Sequence, residues 1–229
     1  GASLSIRRSP VVLSELAGSF VFTQDSLSAE RIDARLWDAP VHLELQTETG
    51  ADGRVTRIGA GGSVGVPTLE QRFHNRLLSK VAGPVPLELD LRIRNADILS
   101  KPNLPIVYRL SSDLDGVVLN LPRPLGKSPG QRKTLDLSGT LVLGSGLSAE
   151  CQLGNLNAGL TFEYDPGDHI MRLKEINTPR LQLGPFVLRD LQVQSIATGD
   201  AWVVQMKTRD LEGVWTIPGD PADTPIQLH

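Results

Sequence analysis

The sequence predicts an all-β protein of antiparallel strands with one amphipathic helix. Three observations predict it. Apolar and polar residues alternate with period two in seven stretches, the mark of strands with one buried face. Turn signals separate strand signals about every 8 to 14 residues, which suits a meander rather than βαβ units. Only one stretch has apolar residues at helical spacing.

Along the chain, Val41-His42-Leu43-Glu44-Leu45-Gln46 is the first clear strand, and Ala51-Asp52-Gly53 the turn after it. The helix comes next, expected near residues 68–82 and about four turns long. Thr68 stands as N-cap, Gln71 at the capping-box position, and Leu69, Phe73, Leu77 and Val81 on one face. Gly83 and Pro84 end it. Leu87-Glu88-Leu89-Asp90-Leu91-Arg92-Ile93 shows the cleanest alternation. Residues 95–105 and 121–133 read as irregular, with a turn at Asp115-Gly116 between them. Strand signals resume at Leu135-Asp136-Leu137 and at Leu160-Thr161-Phe162-Glu163-Tyr164, separated by Gly144-Ser145-Gly146. Asp165-Pro166-Gly167-Asp168 turns the chain into a strand at Leu181-Gln182-Leu183. Thr198-Gly199-Asp200 leads to strands at Trp202-Val203-Val204-Gln205-Met206-Lys207 and Trp215-Thr216-Ile217. No composition shift marks a boundary between two domains.

Many one-sided strands leave a large apolar surface to cover. A second sheet can cover it as a sandwich, the sheet can close into a barrel, or it can curl into a groove around apolar ligand. Periodicity admits all three.

Composition narrows the function. The 229 residues include 35 Leu but only 10 aromatics, with a net charge of −3. There is no basic footprint and little to stack on bases, so no nucleic-acid partner is expected. Aromatic girdles for a membrane barrel are missing, and the apolar runs are a few residues long, far short of the roughly 18 to 20 of a membrane helix. The single Cys151 excludes an internal disulfide and a Cys-based zinc site. Gly1-Ala2-Ser3 reads as a tag remnant, with residues 4–229 as one segment of something longer.

Chemical motifs fail on inspection. Gly61-Gly62-Ser63-Val64-Gly65 matches a nucleophile elbow, but the helix expected there starts only after Pro67 and a parallel α/β sheet is lacking. Gly126-Lys127-Ser128 resembles the end of a P-loop, yet position 121 is Leu, and Pro129 disfavours helix at Ser128. His42, His74, His169 and His229 are not at metal-ligand spacing, and Asp165 with Asp168 serves a turn. No catalytic residue, cofactor or metal is expected.

Leu121-Pro122-Arg123-Pro124-Leu125-Gly126-Lys127, preceded by Tyr108-Arg109-Leu110-Ser111-Ser112-Asp113-Leu114-Asp115-Gly116-Val117, carries a specific resemblance. It is similar to a serine-aspartate-leucine-x-glycine strand and Leu-Pro-x-Pro-Leu-Gly-Lys turn of the YhdP family, large AsmA-like proteins of Gram-negative envelopes. Leu16-Ala17-Gly18-Ser19-Phe20-Val21-Phe22-Thr23, with Ala34-Arg35-Leu36-Trp37 and Pro40-Val41, resembles that family's repeating strand motif. Residues 202–218 resemble its tryptophan strand and following hairpin.

The resemblance implies a fold and a function. The fold is a long, strongly curved antiparallel sheet, a β-groove with an apolar inside and polar outside. The function is non-catalytic: a segment of a periplasmic groove that moves phospholipid, or another acyl-chain lipid, between inner and outer membrane. Its partners would be that lipid, adjacent β-groove segments of the same chain, and the inner membrane through an anchor outside this piece. Lipid-groove lining is then expected at Val41, Leu43 and Leu45, at Leu87, Leu89 and Leu91, at Leu135 and Leu137, and at Leu160 and Phe162. The same residues equally suit a dry core. The alternatives are a closed β-sandwich serving as an envelope scaffold or protein-interaction module, and a hydrolase using Ser63.

Overall fold

The computed structural model describes residues 2–5, 12–24, 26–50, 53–73, 78–94, 105–121, 125–142, 144–165, 170–183, 186–198, 201–218 and 227–228. In chain order the strands are β1 (Ala2–Ser5), β2 (Val12–Gly18), β3 (Val21–Phe22), β4 (Leu27–Leu36), β5 (Ala39–Gly50) and β6 (Gly53–Gly65). Helix α1 (Val66–Phe73) and a 3₁₀ turn (Leu78–Lys80) precede β7 (Val81–Ala82), β8 (Pro84–Arg94), β9 (Pro105–Ser112) and β10 (Val118–Leu119). Then come β11 (Leu135–Val142), β12 (Gly146–Leu153), β13 (Leu156–Asp165), β14 (Ile170–Leu183), β15 (Phe186–Thr198), β16 (Ala201–Lys207), β17 (Glu212–Pro218) and β18 (Gln227–Leu228).

Sixteen of these strands form one antiparallel sheet in simple meander order, with β3 attached beside β4. The ends of the order, β1 and β18, do not meet, so the sheet is open rather than a barrel. Among the described residues the only other sheet is the pair β7–β10. A sandwich needs a second sheet large enough to cover the first, and two strands of two residues are not that. Among the described residues, then, no second large sheet closes a sandwich.

The expected turns close where strand pairing requires them. Gly50 pairs with Gly53, Asp165 with Ile170, and Thr198 with Ala201. The residues between these pairs lie outside the described set, as do His74, Leu77, His169 and His229. Register shifts between Ala2 and Leu4, Ser14 and Ala17, Ala29 and Ile32, and Thr161 and Phe162 mark bulges, which bend a strand and increase its twist.

Several local expectations are corrected. The helix begins at Val66, with Pro67 in its first turn where a missing N–H costs nothing, and spans eight residues. Val81 is in a strand, because Val81 and Ala82 find partners in Leu119 and Val118. Gly83 therefore bends the chain between β7 and β8 instead of ending the helix. The Ser-Asp-Leu-x-Gly stretch is a turn, not a strand: β9 stops at Ser112, whose Oγ accepts the Leu114 N–H, and Asp113 Oδ1 accepts the Asp115 N–H. Trp37 and Asp38, both at positive φ, make the two-residue β4–β5 turn, so Trp37 ends the strand motif rather than extending it.

Buried side chains gather in two groups. Leu13, Ala29, Ile32, Ala34 and Leu43 form one across β2, β4 and β5. Val66, Val85, Leu114 and Val117 form the other, where α1 and the chain after β9 meet the sheet. The chain exposes 15037 Å², against about 10,000 Å² for a compact protein of its mass. That excess is what a single layer with one uncovered face would produce.

Candidate functional site

Directly paired residues of an antiparallel ladder share a face. Following the pairs across the sheet gives one row of Ala29, Leu45, Ile58, Leu91, Tyr108, Gly139, Ala149, Leu160, Ile176, Val193, Met206 and Gly213. It crosses twelve strands without a charged residue. Beside it runs Ile32, Leu43, Ala60, Leu89, Leu110, Leu137, Cys151 and Ala158. Val41, Gly62 and Leu87 form a third row, continued by Ser112, Leu135, Leu153 and Leu156. Leu141, Leu147 and Phe162 form a fourth.

All ten residues expected to line a groove lie on this face. Leu43 is buried; Val41, Leu45, Leu87, Leu89, Leu91, Leu135, Leu137, Leu160 and Phe162 are half-buried. They are shielded sideways by neighbours in the ladder. Alternation alone missed Ile58 and Ala60, because Gly59, Gly61 and Gly62 dilute the apolar signal of β6. It also passed over Leu110, Leu147, Ile176 and Val193, which the register brings into the same rows.

Two titratable groups on this face are held neutral. Burial pushes the Tyr108 phenol up to about 12, with a smaller contribution from Cys151, and burial raises the Cys151 thiol as well. The Tyr108 hydroxyl donates to the Ser148 carbonyl at 3.1 Å. Its ring reaches from β9 to β12 across β11, where Gly139 offers no side chain to obstruct it.

The opposite face is polar. Glu44, Gly59, Asp90, Arg109, Ser138, Glu150, Gly159, Asn177, Gln192, Lys207 and Glu212 make one of its rows. Ion pairs run along it, Arg57 with Asp90 at 2.5 Å and Arg109 with Asp136 at 2.7 Å. The bond to Asp136 raises the pKa of the Arg109 guanidinium. Gly59 leaves a shallow pocket bordered by His42, Glu44, Glu88 and Ser111. Among the described residues no group of three or more His, Cys, Asp or Glu is arranged to hold a metal ion. Ser63 pairs with Pro86 within the β6–β8 ladder, exposed on the polar face. It occupies no strand-to-helix elbow, so the geometry that activates a nucleophilic serine is missing there.

The block at residues 121–127 lies at one rim, with 122–124 outside the described set. Lys127 exchanges both main-chain hydrogen bonds with Leu119 and is itself buried. Its ammonium donates to the carbonyls of Val117 at 2.7 Å and Ser128 at 3.3 Å. Lys133 donates to the carbonyls of Leu125 and Gly126, both at 3.1 Å, and its pKa is lowered by burial and by the charge of Lys127.

The family model described as YhdP protein matches residues 1–177. The chain belongs to the YhdP family. The match takes in the block at residues 121–127 and all ten expected lining residues, and stops within β14. No curated protein and no solved structure matches the chain. YhdP proteins are envelope proteins of the AsmA-like group, and the family is not known for catalysis. Residues 202–218 lie beyond the match and pair as β16 and β17.

Proposed function

We propose that this YhdP-family chain is a non-catalytic, lipid-conducting segment of a larger envelope protein, its apolar face in contact with acyl chains. One observation supports the reading above others: an uncharged row crosses twelve strands, and among the described residues no second sheet pairs over that row. Removing a CH₂ from apolar surroundings costs roughly 0.8 kcal/mol, so a two-chain lipid with about thirty such groups faces a penalty on the order of 20 kcal/mol to cross water. A continuous apolar strip removes most of that barrier. Aliphatic side chains with neutral Tyr108 and Cys151 between them offer no fixed charge to hold a passing lipid.

The cargo in this reading is phospholipid, and the path lies in the periplasm of a Gram-negative cell between inner and outer membrane. The inner-membrane anchor and the neighbouring groove segments belong to other parts of the same chain. A photo-crosslinking residue at position 89, on the apolar face, then captures phospholipid in cells, and one at position 88, on the polar face, does not. Equal capture at the two positions would sink the proposal.

A further inference from the structure

The chain leaves the sheet twice on the same rim, between β6 and β8 and between β9 and β11. The two excursions meet. Val81 and Ala82 pair with Leu119 and Val118, and the Asn120 N–H donates to the Lys80 carbonyl at 2.7 Å. Lys127 ties the second excursion to itself, through its pairing with Leu119 and its ammonium on the Val117 carbonyl. The result is a small unit, the 3₁₀ turn, β7, and residues 113–121 and 125–128, cross-braced by its own hydrogen bonds, with α1 packed against it through Val66 and Leu69. We call it the cover. Its seat on the sheet is aliphatic. Leu114 and Val117, with Leu119 beside them, pack with Leu87, Leu135 and Leu153 of the apolar face.

We propose that the cover is a self-ligand of the apolar face: Val117, Leu114 and Leu119 occupy the place of an acyl chain on Leu87, Leu135 and Leu153, and an incoming acyl-chain lipid displaces the cover as a unit. The proposal rests on the lipid-groove reading. Lifting such a cover into water would be costly, because Val117 is fully buried. Exchanging it for an acyl chain restores the aliphatic contacts on Leu87, Leu135 and Leu153 and takes the incoming chain out of water, which offsets the exposure of the cover's own apolar side. Its internal bonds let it move without unraveling, and Gly83 and Gly116, both at positive φ, stand where the two excursions touch. In this arrangement the cover keeps water off the rim when no lipid is present and sets the apparent affinity there through the fraction of time it is open.

The test uses the 229-residue chain with Cys151→Ser, so that any introduced thiol is alone. Leu153→Cys places a thiol beneath the cover; Ala158→Cys places one on the same face away from it, as a reporter of general opening. Adding Val117→Ala, which removes two methyl equivalents from the seat, is expected to speed maleimide labelling at position 153 about tenfold and leave position 158 unchanged. The same substitution is expected to tighten binding of cis-parinaric acid about tenfold, because a competitor has been weakened. Labelling that rises equally at both positions, or at neither, overturns the proposal, as does weaker parinaric acid binding in Val117→Ala. If neither protein binds cis-parinaric acid, the lipid-groove reading falls, and with it displacement by lipid; labelling at position 153 alone then decides whether the cover lifts.

Discussion

Tyr108 and Lys127 show how single residues of this sheet are set by their surroundings. Tyr108 carries the polar tip of an otherwise apolar row, and its hydroxyl is satisfied by the Ser148 carbonyl. Its pKa is raised to about 12 from 10.0, so the folded chain holds the phenol proton where the unfolded chain has lost it. Between those values the unfolded state binds fewer protons, and stability falls as pH rises from about 10 to about 12. In a Tyr164→Phe background, tyrosinate absorbance is expected to appear near pH 12; a midpoint near 10 would mean that water reaches the phenol freely. Lys127 braces the cover. Lys127→Met keeps the aliphatic stem but leaves the Val117 carbonyl without its ammonium, at an expected cost of about 2 kcal/mol in urea unfolding. A change within a few tenths would show that the ammonium contributes nothing to the fold.

Strand pairing depends on where side chains are missing. At Gly139 a Cβ would lie 1.9 Å from the Ser148 carbonyl oxygen, a main-chain contact that cannot yield without parting β11 from β12. At Gly159 the nearest atoms to such a Cβ lie 3.6 to 3.9 Å away, ordinary contact distances. Gly139→Ala is therefore expected to lower stability by more than about 2 kcal/mol, and Gly159→Ala to leave it unchanged or raise it by about 0.5 kcal/mol. Chemical denaturation of the two variants compares them directly, and equal effects would refute the close approach at Gly139. Elements outside the ladder depend on distant partners. Apolar spacing extended the helix through Val81, whereas a strand partner 38 residues onward, Leu119, claims Val81 for β7. A local pattern cannot anticipate a distant partner. Trp37 disguises its turn in the same way, since a bulky residue seldom adopts positive φ, whereas Asp38 is a customary one.

For the whole molecule, one open layer has consequences that a packed domain lacks. A compact chain of 229 residues has a radius of gyration of about 17 Å. The open sheet, with its 15037 Å² of exposed surface, is expected to scatter with a clearly larger radius. A value near 17 Å would indicate that the sheet folds over on itself in solution.

Alternation specifies antiparallel β and, in the seven stretches that show it, which side of the strand is apolar, because it is a local property of neighbouring residues. All ten residues expected on a lining stand on one face for that reason. The block ending at Lys127 made the family legible, and the family match agrees. That these strands form one open layer among the described residues follows from their pairing order, not from alternation. The choice depends on whether apolar faces find each other or stay uncovered, and alternation is identical in both cases. The tertiary structure also decided that Leu87 and Leu135 are partnered by Leu114 and Val117 while Leu89 and Leu137 are not part of that cluster. That contact joins residues far apart in the chain, and no local pattern encodes it.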